Sequence, residues 1–377
     1  MEKRTLLKRL LRYLFISPYN WQYTLRLPFY TLFPSKKNHC QLPPVPTQFY
    51  LTTQEPLTKF IFAGDLMLLN HDCIPELSSE LTHTLARADY FLVNCEAPIV
   101  NTPLNADARS LLTFSMPLTY LEKIFEQLPI ERQQCILSVA NNHSRDVTDS
   151  VFIEGLKLLK KNLNVHIVGQ YNSAVLPFLR LHSKSGLNFA VSAWTQLMNG
   201  ERFLEKLHIV NHNSEIESTD WLDLKKNHSI DFLIGMPHWG NEYQHYPSLK
   251  TANQATHFIN QGFDLLVGSH SHVLQSIALI NKKLCCFSLG NFLTPTFHWR
   301  TKLISLFEVD VTPSGEIAAY QFHFFIQTTR DKKIYVEPLE KAPLKLQKKS
   351  ILSMVYGAGQ FLATSGVITL FIKGLPT

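Results

Sequence analysis

The sequence has no CxxC pair. Its six cysteines (Cys40, Cys73, Cys95, Cys135, Cys285 and Cys286) are scattered, and Cys135, Cys285 and Cys286 sit inside apolar runs. A disulfide framework is therefore not expected, and buried reduced thiols are. There is also no long block of Lys or Arg. The formal net charge of +6 is spread along the chain, so no nucleic-acid partner is expected. No internal repeat or low-complexity tract occurs. The basic, leucine-rich start MEKRTLLKRLLRYLFI is interrupted by Arg9 and Arg12, and no small-residue cleavage site follows, so a cleaved signal peptide is not expected.

The two ends leave alternatives open. Leu6, Leu7, Leu10, Leu11 and Leu14 lie at helical spacing among Lys3, Arg4, Lys8, Arg9 and Arg12. That pattern suits a helix on an anionic membrane surface or one docked on its own domain. No charged residue falls between Ile351 and Ile372, a stretch long enough to cross a bilayer. Ser353, Gln360, Thr364 and Ser365 lower its apolarity, so a membrane-inserted tail and a packed helix or hairpin both stand.

With 377 residues the chain can bury a sizeable core. Residues 1–57 read as a leader punctuated by seven prolines, poor material for helix or strand interiors. From Lys59 short apolar runs alternate with amphipathic stretches, the rhythm of an α/β domain over residues 58–340, followed by a tail over 341–377. Leu118–Leu128, Val151–Leu159 and, more weakly, Thr251–Ile259 have helical spacing. Beyond Phe292 the chain turns β-rich, at 303–311, 317–326 and 334–336, as a second sheet or its edge.

Six apolar runs end on polar residues. KFIFA leads to Gly64-Asp65, YFLV to Asn94-Cys95-Glu96, and CILSVA to Asn141-Asn142-His143. DFLIGMP leads to His238-Trp239-Gly240, DLLVG to His270-Ser271-His272, and LCCFSL to Gly290-Asn291. In open α/β sheets ligands bind beyond the carboxyl ends of the strands, so these groups are expected to converge. Each has an ordinary alternative: Asp65 or Asn142 as turn formers, Glu96 as a solvated loop residue, His238 as a satisfied core histidine. Their succession at strand ends favours one divalent-metal site built from Asp65, Glu96, Asn142, His238, His270 and His272. The mixed oxygen and nitrogen donors suit Mn, Fe or Zn better than Ca. In an extended segment, residues two apart point the same way, which would aim His270 and His272 at one site.

The ordered set Gly64-Asp65, Asn94-x-Glu96, Ala140-Asn141-Asn142-His143 with Asp146, His238-Trp239-Gly240-x-Glu242, Gly268-x-His270-x-His272 and Ser288-Leu289-Gly290-Asn291-Phe292 resembles the CapA family. These are bacterial capsule-synthesis proteins associated with poly-γ-glutamate and similar to calcineurin-like metallophosphatases. The resemblance covers about residues 59–293. It implies a four-layer αββα sandwich holding one or two divalent ions. It makes Asp65 and His272 ligands of one ion, Asn142, His238 and His270 ligands of a second, and Glu96 the bridge between them. His143 becomes the catalytic histidine, and Asn94, Asn141, Asp146, Glu242 and Asn291 orient ligands or waters. The implied activity is metal-assisted hydrolysis of a phosphoester or an anionic polymer, with His143 stabilising developing charge or protonating the leaving oxygen. Chemistry on an amide polymer and a non-catalytic envelope protein are the alternatives. CapA relatives act at the cell surface, although no export signal is evident here. Four positions depart from the pattern: Met67 stands where metallophosphatases have a histidine, Val147-Thr148 replace Tyr-Gly, and Ser271 replaces a proline.

Overall fold

Alternating apolar residues decide how the strands lie. In the Phe232–His238 strand, Phe232, Ile234 and Met236 join one apolar cluster and Leu233 joins another. The neighbouring Asn188–Thr195 strand does the same, with Phe189, Val191 and Ala193 on one side and Ala190 and Trp194 on the other. A sheet that is apolar on both faces must be covered on both. The computed structural model describes residues 17–32, 40, 42, 45–46, 48–69, 73–101, 114–171, 175–199, 209–295 and 298–343. The basic amphipathic start and the uncharged tail lie outside the described residues. Among those described, no helix is long and apolar enough to cross a membrane.

Two sheets form the middle layers. The six-stranded one runs in the order Ile277–Ile280, Lys283–Cys286, Leu265–Val267, Phe232–His238, Asn188–Thr195, Leu179–His182. The ten-stranded one centres on Leu303–Val311, Asn291–Leu293, Thr58–Leu66, Tyr90–Cys95, Cys135–Ser138 and His166–Val168. Aromatic rings join their inner faces: Phe60 lies 4.9 Å from Phe189 and 6.2 Å from Phe232, centroid to centroid. Helices Trp221–Asn227 and Leu249–Asn260 cover the smaller sheet with Trp221, Phe258 and Ile259. Helices Ser79–Leu85, Leu118–Glu126 and Asp149–Leu158 add Leu81, Leu121, Ile124, Phe152 and Leu156 to the core of the larger sheet. The result is the expected αββα sandwich.

The centre of each sheet is parallel. Thr58–Leu66, Tyr90–Cys95, Cys135–Ser138 and His166–Val168 run together in one. Asn188–Thr195, Phe232–His238, Leu265–Val267 and Lys283–Cys286 do so in the other. The carboxyl ends of these strands therefore gather at one rim.

Three features depart from the sequence reading. The β-rich end extends the ten-stranded sheet, with Leu303–Val311, Ile317–Arg330 and Lys333–Pro338 paired antiparallel. Gln48–Tyr50, from the leader, pairs with Ile317–Arg330. The proline-punctuated leader also holds a helix, Trp21–Leu32, with Pro28 inside it. Asn20 starts that helix by accepting the Tyr23 N–H at 2.8 Å, which is N-capping. An exposed proline costs an interior hydrogen bond, but burial of Thr24 and Leu27 on the inner face holds the helix in place.

Far from the rim, Glu308 collects cations. Its carboxylate lies 2.5 Å from Lys59 Nζ, 2.6 Å from Arg87 and 2.8 Å from His323 Nε2. Burial works to raise its pKa, but His323 and Lys59 prevail and bring it down to about 2. A depressed carboxyl contributes stability that is full above its unfolded pKa of about 4.5 and is lost as pH falls toward 2. Glu308→Gln should thus cost about 1–2 kcal/mol at pH 7 after discounting for solvent screening. The Tm gap to wild type should narrow by about pH 3; a gap independent of pH would contradict this account.

Candidate metal centre

Strand register sets the first half of the site. Asp65 stands opposite Asn94 on one side and Asn291 on the other. Their backbones approach closely: a Cβ on Gly64 would fall 1.8 Å from the Gly290 carbonyl oxygen, so the glycine before Asp65 is a packing necessity. Asp65 N–H donates to that same oxygen at 2.9 Å. The Asp65 carboxylate accepts the Asn94 amide at 2.7 Å, and its backbone oxygen accepts the Thr294 hydroxyl at 2.7 Å. Glu96 follows the adjacent strand and is fully buried.

After the Cys135–Ser138 strand the chain enters a 3-10 turn, Asn142–Arg145, capped by Asn141, whose side chain accepts the His143 N–H. Asn141 also donates to the Cys95 carbonyl at 2.9 Å, tying this turn to the Glu96 loop. The cap aims Asn142 and His143 inward. Asn142 Oδ1 lies 2.8 Å from His238 Nε2. His143 Nδ1 lies 2.6 Å from Asp146 Oδ2, whose carboxylate also accepts the Phe114 N–H at 2.7 Å and the Asn199 amide at 3.1 Å. These donors hold Asp146, and through it His143, so Nε2 is the ring nitrogen left for the cavity.

The second sheet supplies the histidines. His238 ends its strand with Nδ1 2.9 Å from Ser269 Oγ and Nε2 3.2 Å from Glu96 Oε1. His270 and His272 do not sit on an extended pleat as their spacing suggested. Both have left-handed backbones, φ 95° and 55°, in the bend after the Leu265–Val267 strand. For non-glycine residues this is strained, at roughly 1–3 kcal/mol each, and such strain gathers at functional sites. The two rings fall in different donor groups that share Glu96. One ligand-bearing group is Glu96, His238 and His270; the other is Asp65, Glu96 and His272; within each, one donor atom per residue lies within 4.8 Å of the others. Asn291 Oδ1 steadies His272 Nδ1 at 3.0 Å while its own amide donates to the Thr301 carbonyl.

The electrostatics are those of a cation cradle. Burial brings His238 down to about 3 and His270 well below the usual imidazole range, so both are neutral donors. Burial, then the charge of Asp65, lifts Glu96 well above the carboxylate range. Burial opposes the charge on His272, but Glu96 and Asp65 outweigh it and raise the imidazole to about 10. Burial also works against ionised Asp65, yet its contacts with His272 turn the shift downward. Acidic groups packed this closely out of water are balanced by a cation, whether the His272 imidazolium or a bound metal. Both Glu96 oxygens and His270 Nδ1 are buried without a hydrogen-bond partner. Orphaned polar atoms of this kind are costly unless an ion satisfies them, and the donors present fit a divalent metal. Glu96, Asn142, His238 and His270 would hold one ion, and Asp65, Glu96 and His272 a second. Met67 lines the cavity beside these donors.

A cavity of about 150 Å³ opens beside the cradle, walled by Met67, Phe114, Asn142, His143, Glu242 and His272 among others. All twelve residues singled out from the sequence lie in or around this one rim. Two contributors were missed. Asn199 follows the Asn188–Thr195 strand, an apolar run that obeys the same rule of strand end and polar residue. Tyr19, in the leader, carries no such signal.

A family model described as bacterial capsule synthesis protein PGA_cap matches residues 59–296. The curated PGA biosynthesis protein CapA of Bacillus subtilis (strain 168) is 27% identical over 188 residues, which is 48% of each chain. The capsule biosynthesis protein CapA of Bacillus anthracis is 34% identical over 90 residues, 24% of this chain and 22% of that one. The alignments therefore span about half, or less, of these relatives. Among solved structures, a 5'-nucleotidase precursor from Thermus thermophilus is similar at TM-score 0.37 and 14% identity, over 79% of this chain and 58% of that one. A 5'-nucleotidase from Candida albicans gives TM-score 0.42 and 9% identity, over 75% and 52%. With the family match covering well over half of its length, this chain belongs to the bacterial capsule synthesis protein PGA_cap family.

Proposed function

We propose that this protein is a metal-dependent hydrolase of the metallophosphatase type, acting on a phosphoester or a related anionic polymer in the synthesis of a capsule or other envelope polymer. The observation that carries the reading is Glu96, a buried carboxylate with no hydrogen-bond partner, shared between two groups of metal donors. Mn, Fe or Zn suits these donors. A divalent ion here would polarise a phosphoryl oxygen and acidify a water.

This chain's own residues supply the rest. Among the described residues the cavity wall carries no Lys or Arg, so bound cations would be the main counter-charge for an anionic substrate. The His143–Asp146 contact through Nδ1 supports a role in which His143 would donate from Nε2 to the leaving oxygen. Phe114 packs edge-on against the His143 ring at 4.7 Å and keeps water from its flank. A site that was only structural would have no use for this imidazole and carboxylate pair.

The test is turnover by purified protein, with Mn or Zn and with chelator, on phosphomonoesters, phosphodiesters and γ-glutamyl peptides. Phosphoester hydrolysis that requires the metal is expected. Cleavage of γ-glutamyl peptides alone would overturn the phosphoester reading in favour of amide chemistry, to which the name of the Bacillus subtilis relative, PGA biosynthesis protein CapA, points. No metal-dependent turnover on any member would count against a hydrolase.

A further inference from the structure

His270 has one unpartnered nitrogen, Nδ1, and one engaged nitrogen, Nε2. The group that engages it comes from far upstream in the chain: Tyr19 Oη lies 2.5 Å from Nε2. Tyr19 is 6% exposed, and its ring packs 5.9 Å from His270. The same phenol oxygen accepts the Glu242 N–H at 3.1 Å. Tyr23, one turn into the following helix, donates to the Glu242 carbonyl at 3.2 Å, and Ser17 bonds Thr24 at 2.7 Å. Residues 17–24 are thereby pinned to the rim at the His238–Glu242 loop and at His270.

We infer that Tyr19 is a positioning residue of the metal centre, selecting the tautomer and ring orientation in which His270 offers Nδ1 to the ion. This rests on the metal reading proposed above. If Tyr19 gave its proton to Nε2, Nδ1 would carry a buried N–H with no acceptor. With Nε2–H donating to Tyr19 Oη, the Nδ1 lone pair is free for a cation beside Glu96 and His238. A metal-bound histidine characteristically donates its other N–H in this way, and that partner governs its basicity and aim. The arrangement also explains how His270 is held despite its left-handed backbone. It makes the leader a working part of the site and not an appendage to the domain.

The test uses the full chain and Zn or Co as the probe. Tyr19→Phe keeps the ring and removes the acceptor. It should weaken one of the two ions by about 10–100-fold in chelator competition and alter the visible absorption of the Co-loaded protein, with the apo fold intact by circular dichroism. Tyr23→Phe is the control, since it loosens the same helix without touching His270, and it should bind as wild type does. Wild-type affinity and spectrum in Tyr19→Phe, beside a clear loss in His270→Ala, would overturn the inference and leave the metal reading standing. Equal losses in Tyr19→Phe and Tyr23→Phe would overturn it in favour of simple docking. Absence of metal from wild type would end both.

Discussion

Glu96→Gln should abolish binding of both ions at once, whereas no other single substitution at the centre should do so. Glu96 is the one residue common to the two donor groups. Gln keeps the shape but removes the charge and one oxygen donor. His272→Ala leaves Glu96, Asn142, His238 and His270 intact, and His270→Ala leaves Asp65, Glu96 and His272, so each should spare the ion on the opposite side. The two sites should also differ in strength. Four donors would hold one ion, namely Glu96, Asn142, His238 and His270, and three would hold the other, namely Asp65, Glu96 and His272. Titration by calorimetry should show two phases in wild type, one phase in each histidine variant, and a loss of at least about 100-fold in Glu96→Gln, exceeding what removal of an orienting partner costs. Retention of either phase by Glu96→Gln would contradict the shared-carboxylate geometry.

The second large effect concerns His143. Its ring is held by Asp146 and borders the cavity without belonging to either donor group. His143→Ala should lower kcat by about 10²–10⁴-fold, the usual yield of a positioned acid, with metal content unchanged. Asp146→Asn should fall between, because the ring remains but its orientation is released. Loss of metal together with activity in His143→Ala would mean the residue is a ligand, and normal turnover would remove it from the chemistry.

Much of this site was legible because parallel strands make it so. Asp65, Glu96, Asn142, His238 and His270 each follow an apolar run, and a parallel sheet delivers such positions to one rim wherever they fall in the chain. What the pattern could not convey was backbone hand. His270-x-His272 looked like two side chains on one face of a pleat, but both residues have positive φ and join different donor groups around Glu96. Local spacing carries no information about that turn. Asn199 was within reach, since the NFAVSAWT run resembles the others and ends in polar residues. Tyr19 was not. Its neighbourhood is full of prolines, which argue against regular structure, and the Trp21–Leu32 helix owes its place to burial of Thr24 and Leu27 and not to propensity. Contacts that join distant parts of a chain leave no periodic trace.

The chemistry assigned to this rim depends on a cation held around Glu96. The most direct measurement is anomalous diffraction, at the Zn and Mn absorption edges, from crystals of the wild-type protein grown with those metals. The predicted result is two peaks flanking the Glu96 carboxylate, the stronger on the His238–His270 side. Crystals in metal-replete solution with no peak within coordinating distance of Glu96, or with peaks only at surface histidines, would contradict it.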